Sequence, residues 1–291
     1  MRVGAFASYH PAVNFAFFAA VLAFGMTLNH PACLIISAVC AFAYALRLNG
    51  AKAARFALVF MLPAMILAAA INPLVNHRGA TILTYLPDGN PLTLESVAYG
   101  GASALALAGI TAWFACFGAV MTSDKTFHLL RGAAPSIALA LTAALRFVPR
   151  YIRQAGAIAA ARRGIGIRGG RVRSGIRVVS IMTVWALENA VETADSMRSR
   201  GFGLPGRTSF GIFRFTRRDA AALAFIAVCA AAVIAAAPGG LRFRYFPTLR
   251  AGGGAVAVLG GAAYLALCAL PLILEIMGDL MWKARSSGSK T

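Results

Sequence analysis

The chain is poor in charge, and above all in acid. Asp and Glu number 9 among 291 residues, against 28 Lys and Arg, so the net charge is +19. Charged residues make up only 13% of the sequence, well below the roughly 25% of soluble domains. In a soluble protein this balance would suggest nucleic acid as a partner. Here it must first be weighed against the bias of membrane proteins toward basic cytoplasmic loops.

Cysteine is also scarce, and several catalytic motifs are missing. The five Cys stand singly in apolar stretches without a Cys-x-x-Cys pair, which argues against a disulfide framework and a Cys-based metal site. No phosphate-binding loop is present, so the chain is not expected to hydrolyse ATP. His-Glu-x-x-His and Gly-x-Ser-x-Gly are absent, and the Gly-x-Gly-x-x-Gly pattern at Gly164–Gly169 follows no strand. We expect neither a cofactor nor a metal site, and no enzymatic activity.

Hydrophobic residues, by contrast, make up 59% of the chain. A bilayer-crossing helix needs about 20 mostly apolar residues, and six stretches qualify. The third is interrupted by Pro63, and many small residues in the spans would allow close helix packing in lipid. The six run from Pro11 to Leu28, Pro31 to Leu46, Phe56 to Ile71, Ser96 to Met121, Ala220 to Ala237 and Ala255 to Met277. The sequence predicts an all-α polytopic membrane protein with a cytoplasmic module of two to three helices.

The distribution of Lys and Arg predicts the orientation. With six spans and both termini inside, only four of the 28 basic residues fall outside, as the positive-inside rule requires. We therefore predict a multi-pass protein of the plasma membrane with both termini cytoplasmic and an uncleaved first helix. Its parts are residues 1–122 with four spans, a cytoplasmic module at 123–218, and residues 219–291 with two spans and a short tail.

The module at 123–218 is basic but not simply polar. An apolar run from Pro135 to Leu145, closed by Arg146 and Pro149, is too short to span and predicts an interfacial or buried helix. A second helix is predicted from Tyr151 to Gly164 and a third from Ile176 to Gly201. The glycine-rich, basic stretch between them has no regular period and is expected to be a loop.

Two of these predicted helices end in Arg-Gly, at Arg163-Gly164 and at Arg200-Gly201. Cations and a following glycine are common at helix C-termini, so ordinary capping is one interpretation. The other is that two such ends in one module form paired projecting contacts. An Arg fork can bond carboxylates or carbonyls in several directions and suits a groove on a partner protein.

Acids within the spans are few. Glu275 and Asp279 lie near the inner end of the last span, where they could form a proton or ion site. A pairing with Lys283 or Arg285 at the membrane interface is the simpler expectation.

The two Arg-Gly ends resemble the motifs of the transmembrane T component of energy-coupling factor (ECF) transporters, the EcfT/CbiQ family. One family motif, Ala-Gln-x-Ala-Arg-Gly, corresponds to Ala159 through Gly164, with Ala160 in place of Gln and Arg162 in place of Ala. The second, Ala-x-Glu-x-Ala-x-x-x-Ala-x-x-Met-x-Ala-Arg-Gly-aromatic, is similar in register, with Ser199 in place of its last Ala. It is matched by Ala186, Glu188, Ala190, Ala194, Met197, Arg200, Gly201 and Phe202.

The resemblance implies a coupling scaffold between two cytoplasmic ABC-type ATPase subunits and a membrane-embedded substrate-binding S component. Arg163 and Arg200 would insert into grooves on the ATPases, and Gly164 and Gly201 would let the chain turn there. ATP-driven closure would then reorient the S component, which holds a vitamin or a transition-metal ion such as cobalt. The resemblance does not indicate which substrate is carried or whether the module is shared.

Two other classes remain open. A membrane-tethered module could bind anionic lipid or nucleic acid through the basic residues from Arg162 to Arg177, although that leaves the acids and apolar face of the last helix unexplained. A stand-alone secondary transporter would be expected to show inverted repeats and paired intramembrane charges, and neither is evident. The coupling scaffold, with no nucleic acid as partner, is the function that the sequence predicts.

Overall fold

The computed structural model describes residues 4–85, 90–166, 170–202, 204 and 213–288, and these residues are mainly helical, in agreement with the predicted all-α class. Short antiparallel pairs join β1 (Ile82–Tyr85) to β2 (Pro91–Thr93) and β3 (Phe243–Arg244) to β4 (Arg250–Ala251). A 3-10 turn at Phe6–Ser8 comes before the first helix. The helices are α1 (Pro11–Thr27), α2 (Pro31–Asn49), α3 (Ala51–Phe56), α4 (Leu62–Val75), α5 (Leu94–Val120), α6 (Ser123–Ala133), α7 (Pro135–Gly164), α8 (Arg171–Ser199), α9 (Arg217–Ala236) and α10 (Ala255–Gly288).

Five helical stretches are long and apolar enough to cross a membrane: α2, the continuous stretch Ala51–Val75, α5, α9 and Ala255–Trp282 of α10. They correspond to five of the six predicted spans. The remaining predicted span, the first in the chain, corresponds to α1, which is apolar but only 17 residues long. The chain divides into two compact units, one made of residues 4–123 and 214–288 and the other of residues 124–213.

The third span differs from the prediction at its proline. Pro63 does not interrupt the helix, because the residues just before it, Ala57–Met61, form a π-helical turn that joins α3 to α4. Proline offers no N–H to the carbonyl four residues back and its ring crowds that carbonyl. A wider turn relieves this conflict and lets the helix continue.

Glycine places α5 closely against α4. A Cβ added at Gly100 would lie 2.6 Å from the carbonyl oxygen of Ala69 and 3.2 Å from Cδ of Pro73, whereas one added at Gly101 would meet nothing within 4 Å. The same distinction separates Gly260, which lies against Ala236 of α9, from its neighbour Gly261. Close packing through small residues is therefore confirmed, at one glycine of each adjacent pair.

The first unit is held together at one end by a buried aromatic cluster. Phe17 lies 5.2 Å from Phe6 and 5.5 Å from Trp113 between ring centroids, in edge-to-face geometry. Such arrangements stabilise beyond the area they bury. They bring the 3-10 turn, α1 and α5 together.

Polar contacts at that same end tie the start of the unit to the last helix. Glu275 accepts hydrogen bonds from the backbone N–H groups of Ala5, at 3.0 Å, and Phe6, at 3.3 Å. Asp279 pairs with Arg47 at the end of α2. Both acids therefore have long-range partners, which a local reading of α10 could not supply. The side chains of Lys283 and Arg285 lie outside the described residues, so the expected pairing with them stays a prediction.

The second unit also departs from the prediction. The run from Pro135 and the helix from Tyr151 to Gly164 are one helix, α7, which continues through Pro149. The prediction of two helices was wrong because proline removes one hydrogen bond and bends a helix without having to end it. The next helix begins at Arg171, five residues before the predicted start at Ile176.

Candidate functional site: two arginine-bearing helix ends

The second unit is built on α7 and α8, which run in opposite directions. Arg162 donates from its Nη1 to the carbonyl oxygen of Ser174 at 2.9 Å. Farther from the loop that joins the two helices, the rings of Tyr151 and Trp185 meet edge to face with centroids 5.4 Å apart. The Cζ of Arg150 lies 5.4 Å from the centroid of the Trp185 ring. The residue number falls along α7 as it rises along α8, so the two helices are antiparallel.

The C-terminus of α8 has the geometry expected of an Arg-Gly end. Arg200 is the C-cap residue, and Gly201 follows with a φ of 80°. The N–H of Gly201 donates to the carbonyl of Arg198, and the N–H of Phe202 donates to that of Met197. This is the Schellman motif, in which a left-handed glycine satisfies the last helical carbonyls.

Arg200 itself is exposed. Its guanidinium has no hydrogen-bond or ion-pair partner among the parts of the chain that the structure describes. Since the backbone bonds of the motif complete the cap without this side chain, capping does not account for the guanidinium.

The C-terminus of α7 lies at Gly164, as the sequence predicts, but its geometry differs from that of α8. Gly164 does not turn the chain, because it is the last residue of the helix, and Ile165 is the C-cap. The left-handed residue is Gly166, with a φ of 75°, whose N–H donates to the carbonyl of Arg163. The two residues after the motif, Ile165 and Gly166, therefore provide the turn, and Arg163 sits within the last helical turn.

Arg163 is exposed, and its Nε donates to the carbonyl of Ala159, one turn earlier, at 3.3 Å. Arg162 beside it is half-buried and is held by Ser174 of α8. The two adjacent arginines thus have distinct surroundings. Arg162 fastens the helix pair, and Arg163 presents its charge to solvent.

The structure does not bring Arg163 and Arg200 together. Arg162 lies at the level of Ser174, and α8 continues through 25 more residues to Ser199. At 1.5 Å per residue, the two exposed arginines stand about 40 Å apart, at opposite ends of the pair. Two contacts at this separation are independent of each other within the helix pair.

The remaining motif residues lie along these two helices without forming a cluster. Ala159 and Met197 are half-buried, while Glu188 and Ala194 are exposed, and so is Phe202 just beyond the end of α8. Glu188, the one of these five with a charged side chain, has no hydrogen bond or ion pair among the described residues. The other four are apolar, and Glu188 places a carboxylate on the surface of α8.

An apolar stripe covers one face of α8. Its members recur at helical spacing along one face, and each is more than 60% exposed. Exposed apolar surface of this extent marks contact sites with proteins or membranes. The stripe consists of Val172, Ile176, Val179, Val184, Leu187 and Val191.

The contacts that join α7 to α8 were not predicted. Trp185 lies within the helix predicted from Ile176 to Gly201, and its partners Arg150 and Tyr151 follow Pro149, where the sequence suggested a break. One feature of the sequence could have predicted this contact. Tyr151 and Trp185 lie at equal distances along the chain from the glycine-rich loop, and residues so placed face each other in an antiparallel helical hairpin. Lys125 on α6 is buried as well, and burial lowers the pKa of its ammonium group.

Within the described residues, no three His, Cys, Asp or Glu side chains come together as metal ligands. Comparison with known families and with curated proteins finds no match for this chain.

Proposed function

We propose that this chain is the transmembrane coupling subunit of an ATP-driven ECF-type importer of vitamins or transition-metal ions. The observation that supports this most directly is the separation of the two arginine-bearing helix ends. Arg163 and Arg200 are both exposed, and about 40 Å of helix lies between them. Two such contacts suit two separate partner subunits.

Each of the two partners would be a cytoplasmic ABC-type ATPase with a groove lined by carboxylates or backbone carbonyls. A guanidinium fork stays charged and can satisfy several acceptors at once. Because Arg162 fixes the end of α7 to α8, a displacement imposed at one end is transmitted along two joined helices rather than absorbed locally. ATP hydrolysis belongs to the partners, and this chain acts as a scaffold and not as an enzyme.

The third partner is a membrane-embedded S component that holds the substrate. The apolar stripe of α8 gives it a surface to bind, since six large apolar side chains there are exposed in the isolated chain. Covering such a stripe stabilises a complex through the hydrophobic effect. Movement of α8 would then be passed to the S component.

The first unit anchors this assembly in the plasma membrane. Five of its helical stretches are long enough to cross a bilayer, and the distribution of basic residues favours cytoplasmic termini. The second unit, residues 124–213, carries a large share of the basic residues. This supports a cytoplasmic position, where the ATPases would be reached.

The test is co-purification of the full chain in detergent with the two candidate ATPase subunits, each carrying a different affinity tag. Arg163→Ala and Arg200→Ala are compared singly and together, with Arg198→Ala as the matched control. Arg198 is an exposed arginine on the same helix end, but it does not belong to the proposed contact.

We expect a complex with both ATPases for wild type and for Arg198→Ala. Because the two ends are far apart, each single substitution should release one ATPase and retain the other, and the double substitution should release both. ATPase activity that depends on this chain should disappear in both single variants and in the double variant. Assembly that is unaffected by the double substitution would leave both arginines as ordinary surface residues and refute the proposal.

A further inference from the structure

A second candidate binding site lies in the first unit, in a groove between α2, α3 and α5. It encloses about 330 Å³, within the range of roughly 300–1,000 Å³ that is typical of small-molecule sites. Five alanines leave the space open, and larger apolar side chains bound it. Its lining is Phe42, Ala45, Ala53, Phe56, Ala57, Met61, Ala112 and Ala115, with Asn49 and Lys52 at one end.

The polar end of the groove is created by a one-residue turn. Gly50 alone separates α2 from α3, with a φ of 53° and a ψ of −130°. Only glycine adopts this conformation readily. The turn brings the last residue of α2, Asn49, and the second residue of α3, Lys52, to the same mouth.

Neither polar side chain at the mouth has a partner within the described part of the chain. Lys52 and Asn49 are exposed, and no hydrogen bond or ion pair of either side chain exists among the described residues. Asp279, an acid at this end of the unit, forms its ion pair with Arg47 and not with Lys52. The groove therefore combines an unpaired cation and an amide with an apolar interior.

We propose that this groove binds an anionic phospholipid, with the phosphate on Lys52 and Asn49 and one acyl chain along the apolar lining. A cation accepts a phosphate through charge-assisted hydrogen bonds. An apolar cavity that opens among membrane-length helices is filled better by hydrocarbon than by water. The proposal requires that the chain spans a membrane, and it does not depend on any ATPase or S component.

The test uses the full chain, purified in detergent, stripped of lipid and titrated with phosphatidylglycerol or phosphatidylcholine in mixed micelles. Native mass spectrometry counts the lipids bound per chain. Lys52→Ala removes the charge and Lys52→Arg keeps it. Arg55→Ala removes an exposed cation one turn later that does not line the groove, and Ala115→Phe fills the apolar part.

One phosphatidylglycerol should bind tightly to wild type, to Lys52→Arg and to Arg55→Ala. Binding should weaken about tenfold in Lys52→Ala, the size expected for loss of a charge-assisted hydrogen bond, and should also weaken in Ala115→Phe. Inorganic phosphate at millimolar concentration should not compete, because it lacks the chain.

Three results would overturn the proposal. Equal binding of phosphatidylcholine would mean that the headgroup charge is not recognised. Displacement by inorganic phosphate would assign Lys52 to a free anion. Loss of a dimer, rather than of lipid, in Ala115→Phe would assign the groove to a second copy of the chain.

Discussion

Two neighbouring glycines on α5 allow a direct test of the packing between α5 and the membrane-length stretch Ala51–Val75. Gly100 faces the Ala69 carbonyl, to which Pro73 cannot donate the usual helical hydrogen bond. A Cβ at Gly100 would approach that oxygen to 2.6 Å, and 3.4 Å marks the start of ordinary contact, so the helices would have to separate by about 0.8 Å. Gly101 has nothing within 4 Å of its added Cβ.

The two substitutions should therefore change stability in opposite directions. Gly101→Ala gains helix propensity of up to about 1 kcal/mol and meets no neighbour. Gly100→Ala gains the same propensity but also overpacks the interface, which typically costs about 1–3 kcal/mol. Because the propensity gain is common to both, the difference between the two variants isolates the packing cost, at about 2 kcal/mol.

The assay is reversible unfolding of the purified chain by SDS in detergent micelles, followed by circular dichroism. Gly100→Ala should have a free energy of unfolding about 2 kcal/mol lower than that of Gly101→Ala. If the two agree within about 0.5 kcal/mol, the close approach of α4 and α5 described here is wrong. The measurement depends on no partner protein, so it tests the fold separately from the function.

Two further predictions concern contacts that join distant parts of the first unit. Glu275→Ala leaves the N–H groups of Ala5 and Phe6 without their acceptor and should lower the free energy of unfolding by about 3 kcal/mol. Amide hydrogen exchange should become faster at residues 4–9 only. Unchanged exchange at these residues would contradict the proposal that Glu275 anchors them. Tyr245 donates to the Asn29 carbonyl at 2.9 Å, so Tyr245→Phe should cost about 1 kcal/mol at neutral pH. Burial, together with the nearby Tyr99, raises the pKa of Tyr245 to about 12. Its contribution should thus be constant below pH 10 and be lost as the pH rises toward 12, so wild type should lose stability relative to Tyr245→Phe over that interval. A stability difference between the two proteins that does not change from pH 10 to 12 would contradict this assignment.

The membrane-length helices were predictable because their signal is local. A run of about 20 apolar residues is visible in the sequence, and proline and glycine near its ends set the limits. The prediction went wrong at Pro63 and Pro149, where proline was taken to interrupt or end a helix. The backbone adapts to these prolines, by a π turn before Pro63 and within a continuous helix at Pro149, and the residue pattern does not predict either outcome.

The candidate site was predictable in its residues but not in its geometry. Arg200 and Gly201 form the helix end that their sequence indicates, because a C-cap depends on the few residues around it. The end of α7 at Gly164 was predicted as well, but the left-handed residue that follows it is Gly166, which the motif did not indicate. The spacing of the two arginines depends on the antiparallel pairing of α7 and α8, and this follows from contacts such as that of Arg162 with Ser174.

The π turn at Ala57–Met61 also sets the rotational phase of the third span. In a regular helix each residue advances the direction of the side chains by about 100°, so any local change of winding rotates everything before it relative to everything after it. The wide turn allows Lys52 to line the groove beside α5 while Ala69, more than four turns later, meets Gly100 of the same helix. Deleting one residue from this turn would leave α4 in place and rotate Lys52 away from the groove, so the π turn aligns the two ends of this span.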